Sequence, residues 1–224
     1  MATYAFSDLH GEYKLFKQIQ EYIQKDDVVY CLGDCCDRGP DGIKIIQEVL
    51  KDKRFIYLLG NHEAMLIDNV ATLPENLTNA DIHILKETEG LKSYNDFYDL
   101  KEKEREELLK ELKNLPLKTL YINKDNKKIF LSHCGCNPNK IFDIDDKTFL
   151  WDRKHLTTSK WVWDRDLYIV HGHTPTTLMP NKNDRVYFYC NKHKIDIDTG
   201  ATFGGTAALL NLDTFDIIYF VDKE

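Results

Sequence analysis

Thr3-Tyr4-Ala5-Phe6-Ser7-Asp8-Leu9-His10-Gly11, Val28-Val29-Tyr30-Cys31-Leu32-Gly33-Asp34 and Phe55-Ile56-Tyr57-Leu58-Leu59-Gly60-Asn61-His62-Glu63 decide the fold. Each is a short β-prone apolar run that breaks into a polar turn carrying Asp, His or Asn. Between them lie Tyr13–Ile23, with apolar residues at 15, 16, 19, 22 and 23, and Asp41–Leu50, which follows Pro40. Both have helical spacing. Strand, helix, strand, helix, strand at this spacing reads as α/β. In open α/β sheets ligands bind off the carboxyl ends of strands. Three loaded turns in succession are therefore expected to face one site.

Outward from this stretch the character changes. Residues 66–115 are rich in charge and helix formers, densest at Lys101–Lys113. They are expected to form a helical cap beside the site, with no chemistry of their own. Thr119–Ile122 and Lys128–Ser132 flank Lys124-Asp125-Asn126 and read as a hairpin. Leu167–Val170, Val186–Tyr189, Lys194–Asp198, Ala207–Asn211 and Ile217–Phe220 are also β-like. The C-terminal third thus reads as a second sheet of mainly antiparallel strands. There is no internal repeat and no obvious linker, so residues 1–224 are expected to form one domain.

Lys plus Arg is 30 and Asp plus Glu is 37, a formal net charge of −7. A protein that coats nucleic acid should be basic, and an acidic chain gains nothing at an anionic membrane surface. Nucleic-acid and membrane partners are therefore not expected, and any handling of phosphate must rest on local positive charge. No apolar run is long enough to span a bilayer, and the N-terminus lacks the basic and apolar regions of a signal peptide. The six cysteines form no disulfide-scaffold pattern, and Cys35 and Cys36 are adjacent. Reduced thiols and a cytoplasmic location are expected.

The histidines carry the chemistry. Of eight, five lie in polar turns that directly follow apolar strands: His10, His62, His133, His171 and His173. Gly33-Asp34-Cys35-Cys36-Asp37-Arg38-Gly39 adds two carboxylates and an arginine. Each piece alone has a bland reading as a turn, a helix cap or a hydrogen-bonded core histidine. Together, at the end of one strand after another, carboxylate, imidazole and amide groups suit a divalent metal such as Mn²⁺, Fe²⁺ or Zn²⁺.

Asp8-Leu9-His10-Gly11, Gly33-Asp34 with Asp37-Arg38-Gly39, Gly60-Asn61-His62-Glu63, Ser132-His133 and Gly172-His173-Thr174 resemble the five motifs of the calcineurin-like metallophosphoesterases. More narrowly they resemble the small bacterial and bacteriophage lambda type of phosphoprotein phosphatase. The likeness runs from Thr3 to about Leu210, takes in Trp151-Asp152-Arg153 and Ile197-Asp198-Thr199-Gly200-Ala201, and is poorest over 66–115. It implies a central β-sandwich of two mixed sheets flanked by helices. It also implies two divalent metal ions, with manganese favoured over iron or zinc. Asp8, His10 and Asp34 would hold the first, Asp34 would bridge, and Asn61, His133 and His173 would complete the second. His173 rather than His171 is implied because the family ligand follows the glycine directly. Arg38, Arg153 and Asn61 would bind phosphate. His62 would be the general acid, oriented by Asp37, and a hydroxide between the metals the nucleophile.

The expected reaction is hydrolysis of phosphoserine and phosphothreonine in a phosphorylated protein or peptide. The runner-up is hydrolysis of dinucleoside polyphosphates, by a sister branch that tends to be longer and often has Asn in place of Asp37. Pro175, where several other branches carry a further histidine, also favours the phosphatase. One departure bears on phosphate recognition: the lambda-type pattern often has arginine where this chain has Leu59. Cys35, Cys36 and Cys134 flank ligands and read either as oxidation-sensitive thiols or as small packing residues.

Overall fold

Alternation along each strand sorts its side chains between two layers, and the computed structural model, which describes residues 1–136, 141, 146–157 and 166–222 (without the side chains of 146 and 147), shows where each layer lies. Strands β1 (Thr3–Phe6), β2 (Val28–Cys31) and β3 (Phe55–Tyr57) are parallel neighbours. Helices α1 (Tyr13–Tyr22) and α2 (Gly42–Lys51) connect them. Tyr4 and Phe6 of β1 point to the helices, where they meet Phe16, Ile19, Ile45 and Ile46. Ala5 points the other way, into a second core. A fully buried side chain of the Phe or Ile size contributes about 1.5–3 kcal/mol, so this helix–sheet layer holds β1–β3 in place.

The chain then runs through α3 (Asn61–Asn69), α4 (Asn79–Glu87), α5 (Leu91–Asp99) and α6 (Glu102–Lys113). This is the helical segment expected at 66–115. Mostly solvated, α6 buries only Leu108 and Leu112. The second sheet is built from β4 (Lys118–Ile122), β5 (Lys128–Ser132), β6 (Leu167–His171), β7 (Tyr187–Tyr189) and β8 (Lys194–Asp196), in the order β4-β5-β6-β8-β7. Helix α7 (Asp146–Trp151) covers part of its outer face, where Phe149 packs on Phe130 at 5.9 Å between ring centroids. The last strands, β9 (Ala207–Asn211) and β10 (Ile217–Phe220), return to the first sheet, whose order is β10-β9-β1-β2-β3. Leu32, Leu58, Leu131, Val170, Ile195 and Leu210 fill the space between the sheets.

Two mixed five-stranded sheets flanked by helices are therefore present, as the resemblance implied. The reading of the C-terminal third as one mainly antiparallel sheet is corrected. β5, β6 and β8 are parallel, because the connections between them are long crossovers. β9 and β10 pair in the other sheet, with Tyr4 opposite Asn211. The carboxyl ends of β1, β2, β3, β5 and β6 converge at one edge of the sandwich. There Gly172 donates its N–H to the His133 carbonyl at 2.8 Å and His173 donates its N–H to the Asp8 carboxylate at 3.0 Å.

Candidate metal centre

β1, β2 and β6 release their turns through backbone that ordinary residues avoid. Asp8, His10, Asp34, Asp37, Arg38 and His173 all have positive φ, between 44° and 73°. Such conformations cost about 1–3 kcal/mol each and persist only where surrounding contacts fix them. One fixing contact is Glu63, in the first turn of α3. Its fully buried carboxylate accepts N–H groups from Asp34 at 2.7 Å, Cys35 at 2.8 Å, Gly60 at 3.1 Å and Cys36 at 3.3 Å. Another is the close approach of Gly172, where a Cβ would lie 2.0 Å from Asp8 Oδ2.

These turns bring two clusters together around one carboxylate. His10, Asp34 and His62 form the first, and Asp34, His133 and His173 the second. Asp34 Oδ2 lies 3.3 Å from His133 Nε2, 3.7 Å from His10 Nε2 and 3.9 Å from His62 Nε2. Asn61 Oδ1 joins the second cluster, 2.8 Å from His133 Nε2 and 2.7 Å from His173 Nδ1. Backbone carbonyls orient two of the rings. His10 Nδ1 donates to the Cys36 carbonyl and His133 Nδ1 to that of Leu32, both at 2.8 Å, so each ring turns Nε2 inward. Asp8 stands at the rim of these clusters. Its carboxylate is engaged by the Ser7 hydroxyl and the His173 N–H.

The electrostatics favour a cation. Burial alone would raise the Asp34 pKa, yet His133, His62 and His10 hold it well below the usual range. Burial opposes protonation of His133, but Asp34 and Asp8 push it up to about 10. Burial lowers His10 to about 3, with Arg38 adding to the effect, and lowers His173 to about 2, with His133 adding. Asp8 rises to about 6 through burial and the charge of Asp34. A carboxylate that pulls a buried imidazole this far is a centre of negative potential. His173 Nε2 is buried and has no hydrogen-bond partner among the described residues. Bare imidazole nitrogens, an amide oxygen and a shared carboxylate fit divalent cations of borderline to hard character.

The residues expected to act on the phosphate and the leaving group stand beside the clusters. His62 Nδ1 donates to Asp37 Oδ2 at 2.7 Å. Burial works against its proton, but Asp34 and Asp37 outweigh it and the His62 pKa is raised. Arg38 places Nη1 2.6 Å from His10 Nε2 and Nη2 3.2 Å from His62 Nε2. A cleft of about 250 Å³ is lined by Asp34, Arg38, Asn61, His62, Arg153 and His173, among others. Arg153 is fixed by donating from Nε to the Thr174 hydroxyl at 3.1 Å. Leu59 is not among the lining residues.

The helical segment is not the inert cap expected. Glu87, Thr88 and Glu89 line the cleft. Glu89 pairs with Arg38 Nε at 3.4 Å, and Ser93 Oγ accepts the Asp37 N–H at 2.8 Å. Beneath the second cluster lies a buried set of which the sequence marks only His171. His155 Nε2 donates to the Cys134 carbonyl at 2.5 Å and Lys194 Nζ donates to the His155 carbonyl at 2.9 Å. His171 Nδ1 donates to the Gly172 carbonyl at 3.0 Å and its Nε2 accepts from the Tyr189 hydroxyl at 2.7 Å. His171 thus supports the ligand loop. Cys35, Cys36 and Cys134 are buried and free, and burial raises all three thiol pKa values, which favours the packing reading. Among the described residues no helix is long and apolar enough to cross a membrane.

The family model described as calcineurin-like phosphoesterase matches residues 1–205. A symmetrical bis(5'-nucleosyl)-tetraphosphatase of Wigglesworthia glossinidia brevipalpis is 33% identical over 163 residues, covering 71% of this chain and 50% of the relative. An asymmetrical bis(5'-nucleosyl)-tetraphosphatase of Oceanobacillus iheyensis is 30% identical over 191 residues, covering 77% of this chain and 69% of the relative. The chain spans about half the length of the symmetrical relatives it matches. A crystal structure provisionally assigned as a diadenosine tetraphosphatase superposes with a TM-score of 0.68 at 15% identity, covering 99% of this chain and 94% of the other. A protein serine/threonine phosphatase from Saccharomyces cerevisiae superposes at 0.59 and 13%, covering 100% and 81%. Fold likeness therefore spans both activities and does not separate them. The sequence relatives do, and they overturn the expected phosphoserine/phosphothreonine phosphatase and its phosphoprotein partner. The five motifs go with the family as a whole and do not separate a phosphoprotein from a dinucleoside polyphosphate. Asp37, Pro175 and a shorter chain therefore do not mark a phosphoprotein phosphatase.

Proposed function

This chain belongs to the calcineurin-like phosphoesterase family, and on that premise we propose that it hydrolyses dinucleoside polyphosphates of the diadenosine tetraphosphate type. The observation that carries this reading is the 33% identity to a symmetrical bis(5'-nucleosyl)-tetraphosphatase. We assign Asp8, His10 and Asp34 to one divalent metal and Asn61, His133 and His173 to the other, with Asp34 shared. Manganese suits this mixture of carboxylate, imidazole and amide donors. When bound, the metals supply Lewis acidity and lower the pKa of a water.

The chain's own groups do the rest. Arg38 and Arg153 flank the cleft and bind phosphate oxygens, a task for which the guanidinium fork is suited. In a chain of net charge −7 these two arginines supply the local positive charge that phosphate needs. Asp37 fixes the His62 ring through Nδ1. A protonated His62 then gives its Nε2 proton to the departing oxygen once Arg38, 3.2 Å from that nitrogen, turns to the phosphate. A nucleotide phosphate leaves more readily than an alkoxide, so the acid is worth less here than in a phosphoserine phosphatase.

The test is a comparison of rates for the Mn²⁺-loaded protein on diadenosine tetraphosphate and on a phosphoserine peptide. Faster turnover of the dinucleotide is expected, and faster turnover of the peptide would reverse the assignment. Chromatography of the products separates cleavage into two ADP from cleavage into ATP and AMP.

A further inference from the structure

We propose that Phe203 is the platform on which a nucleobase of the substrate stacks; this deepens the reading above and rests on it for the identity of the substrate. Phe203 is 63% exposed, although it sits beside the site. Its ring centroid lies 5.3 Å from the Arg38 guanidinium, the group assigned to phosphate. One ring thus lies next to the phosphate-binding arginine and remains open to solvent.

The ring is presented by a fixed turn. Gly200 and Gly204 bracket Ala201–Phe203 with φ of 72° and 75°, a region open to glycine at little cost. Phe203 donates its N–H to the Gly200 carbonyl at 2.9 Å, and Gly205 donates to the same oxygen at 3.0 Å. Gly200 in turn donates its N–H to the buried Asp198 carboxylate at 3.0 Å. Holding a large apolar ring in water at the end of so constrained a turn brings no packing benefit to the fold. It does pre-organise a flat π-face one guanidinium away from the phosphates. Every base offers a π-face, and stacking on an aromatic side chain changes affinity by about 5–150-fold. Trp151 is also 47% exposed, but its ring is set edge-on to His173 at 6.4 Å, so its replacement would disturb an assigned ligand.

The test compares binding of ATP with binding of inorganic tripolyphosphate, which lacks the adenosine, by calorimetry on the Mn²⁺-loaded full chain. Phe203→Leu is expected to weaken ATP about tenfold and leave tripolyphosphate unchanged, while Phe203→Trp retains ATP affinity. Equal weakening of both ligands would show that the ring acts through Arg38, and no weakening of ATP would show that it contacts no base. Either result overturns the proposal. Neither readout needs turnover, so failure to hydrolyse diadenosine tetraphosphate is seen separately and counts against the assigned reaction alone.

Discussion

The turns of the first sheet and those of the second hold their candidate ligand atoms through different supporting groups. At the first sheet the strained turn at Asp34–Cys36 points N–H groups inward, and a single carboxylate, Glu63, accepts three of them together with that of Gly60. At the second sheet the loops that carry the candidate ligands offer carbonyls, and two imidazoles donate to them, His155 to Cys134 and His171 to Gly172. An anion with four lone-pair sites gathers several donors at once, whereas a neutral imidazole donates only one hydrogen bond. Support is therefore concentrated in one residue on the first side and spread over several on the second. The arrangement also has an electrostatic consequence. Glu63 adds negative charge beside Asp34, and its own pKa is raised by burial and by Asp34. The second side adds a buried cation, Lys194, whose pKa burial lowers.

This contrast is broken most severely at Glu63. Glu63→Ala leaves several buried N–H groups without an acceptor, each at about 1–3 kcal/mol before relaxation. A loss of about 3–5 kcal/mol is expected, which is a fall in melting temperature of about 10 °C for a chain of this size. Thermal unfolding followed by circular dichroism reads it. A fall under 2 °C would mean that the turn at Asp34–Cys36 holds its shape without the carboxylate.

Much of this concentrated side was legible from residues alone. β1, β2 and β3 and their helices follow from period, and the turns at Asp8–His10, Asp34–Arg38 and Asn61–Glu63 stand out because polar residues cluster where apolar runs stop. The partition of strands between sheets was not legible. Pairing of Tyr4 with Asn211 joins residues at opposite ends of the chain, and local propensity carries no partner. Glu89 and Ser93 were missed because they look like surface residues of a charged helical stretch, and only tertiary packing brings them to Arg38 and Asp37. Lys194-Ile195-Asp196 alternates as a half-exposed strand should, with Ile195 between the sheets. All three are buried, because the outer face of the second sheet is covered as well.

His155 sharpens the comparison from the distributed side. His155→Ala removes the donor to the Cys134 carbonyl, next to His133, and leaves Lys194 Nζ beside a smaller side chain. About 2 kcal/mol of stability is expected to be lost. Groups that hold a ligand's surroundings typically alter metal affinity by about 10–100-fold, and a change near the lower end is expected here. Titration of Mn²⁺ against a chelator measures it. A stability loss as large as that of Glu63→Ala would end the distinction between concentrated and distributed support.

The smallest effect is expected at Tyr189. Tyr189→Phe keeps the ring that packs on His171 at 5.9 Å between centroids and removes only the hydroxyl that donates to Nε2. One such part-buried hydrogen bond is worth about 0.5–1.5 kcal/mol, or about 1–6 °C in melting temperature. The informative measurement is how this loss depends on pH. Burial, with His155 adding, holds His171 well below its ordinary value, and burial, with Lys194 adding, holds His155 down to about 4. Unfolding frees both to bind protons below about pH 6.5, so these groups make stability fall as pH drops through that value. If burial is what keeps His171 neutral, Tyr189→Phe lowers the melting temperature by the same amount at pH 6 and pH 8. If the tyrosine hydroxyl is what keeps Nε2 unprotonated, its removal lets His171 take a proton in the folded state. The variant's deficit would then shrink at pH 6. That outcome would put the control of this imidazole in a single hydrogen bond, as Glu63 controls the first side, rather than in the packing of the whole layer.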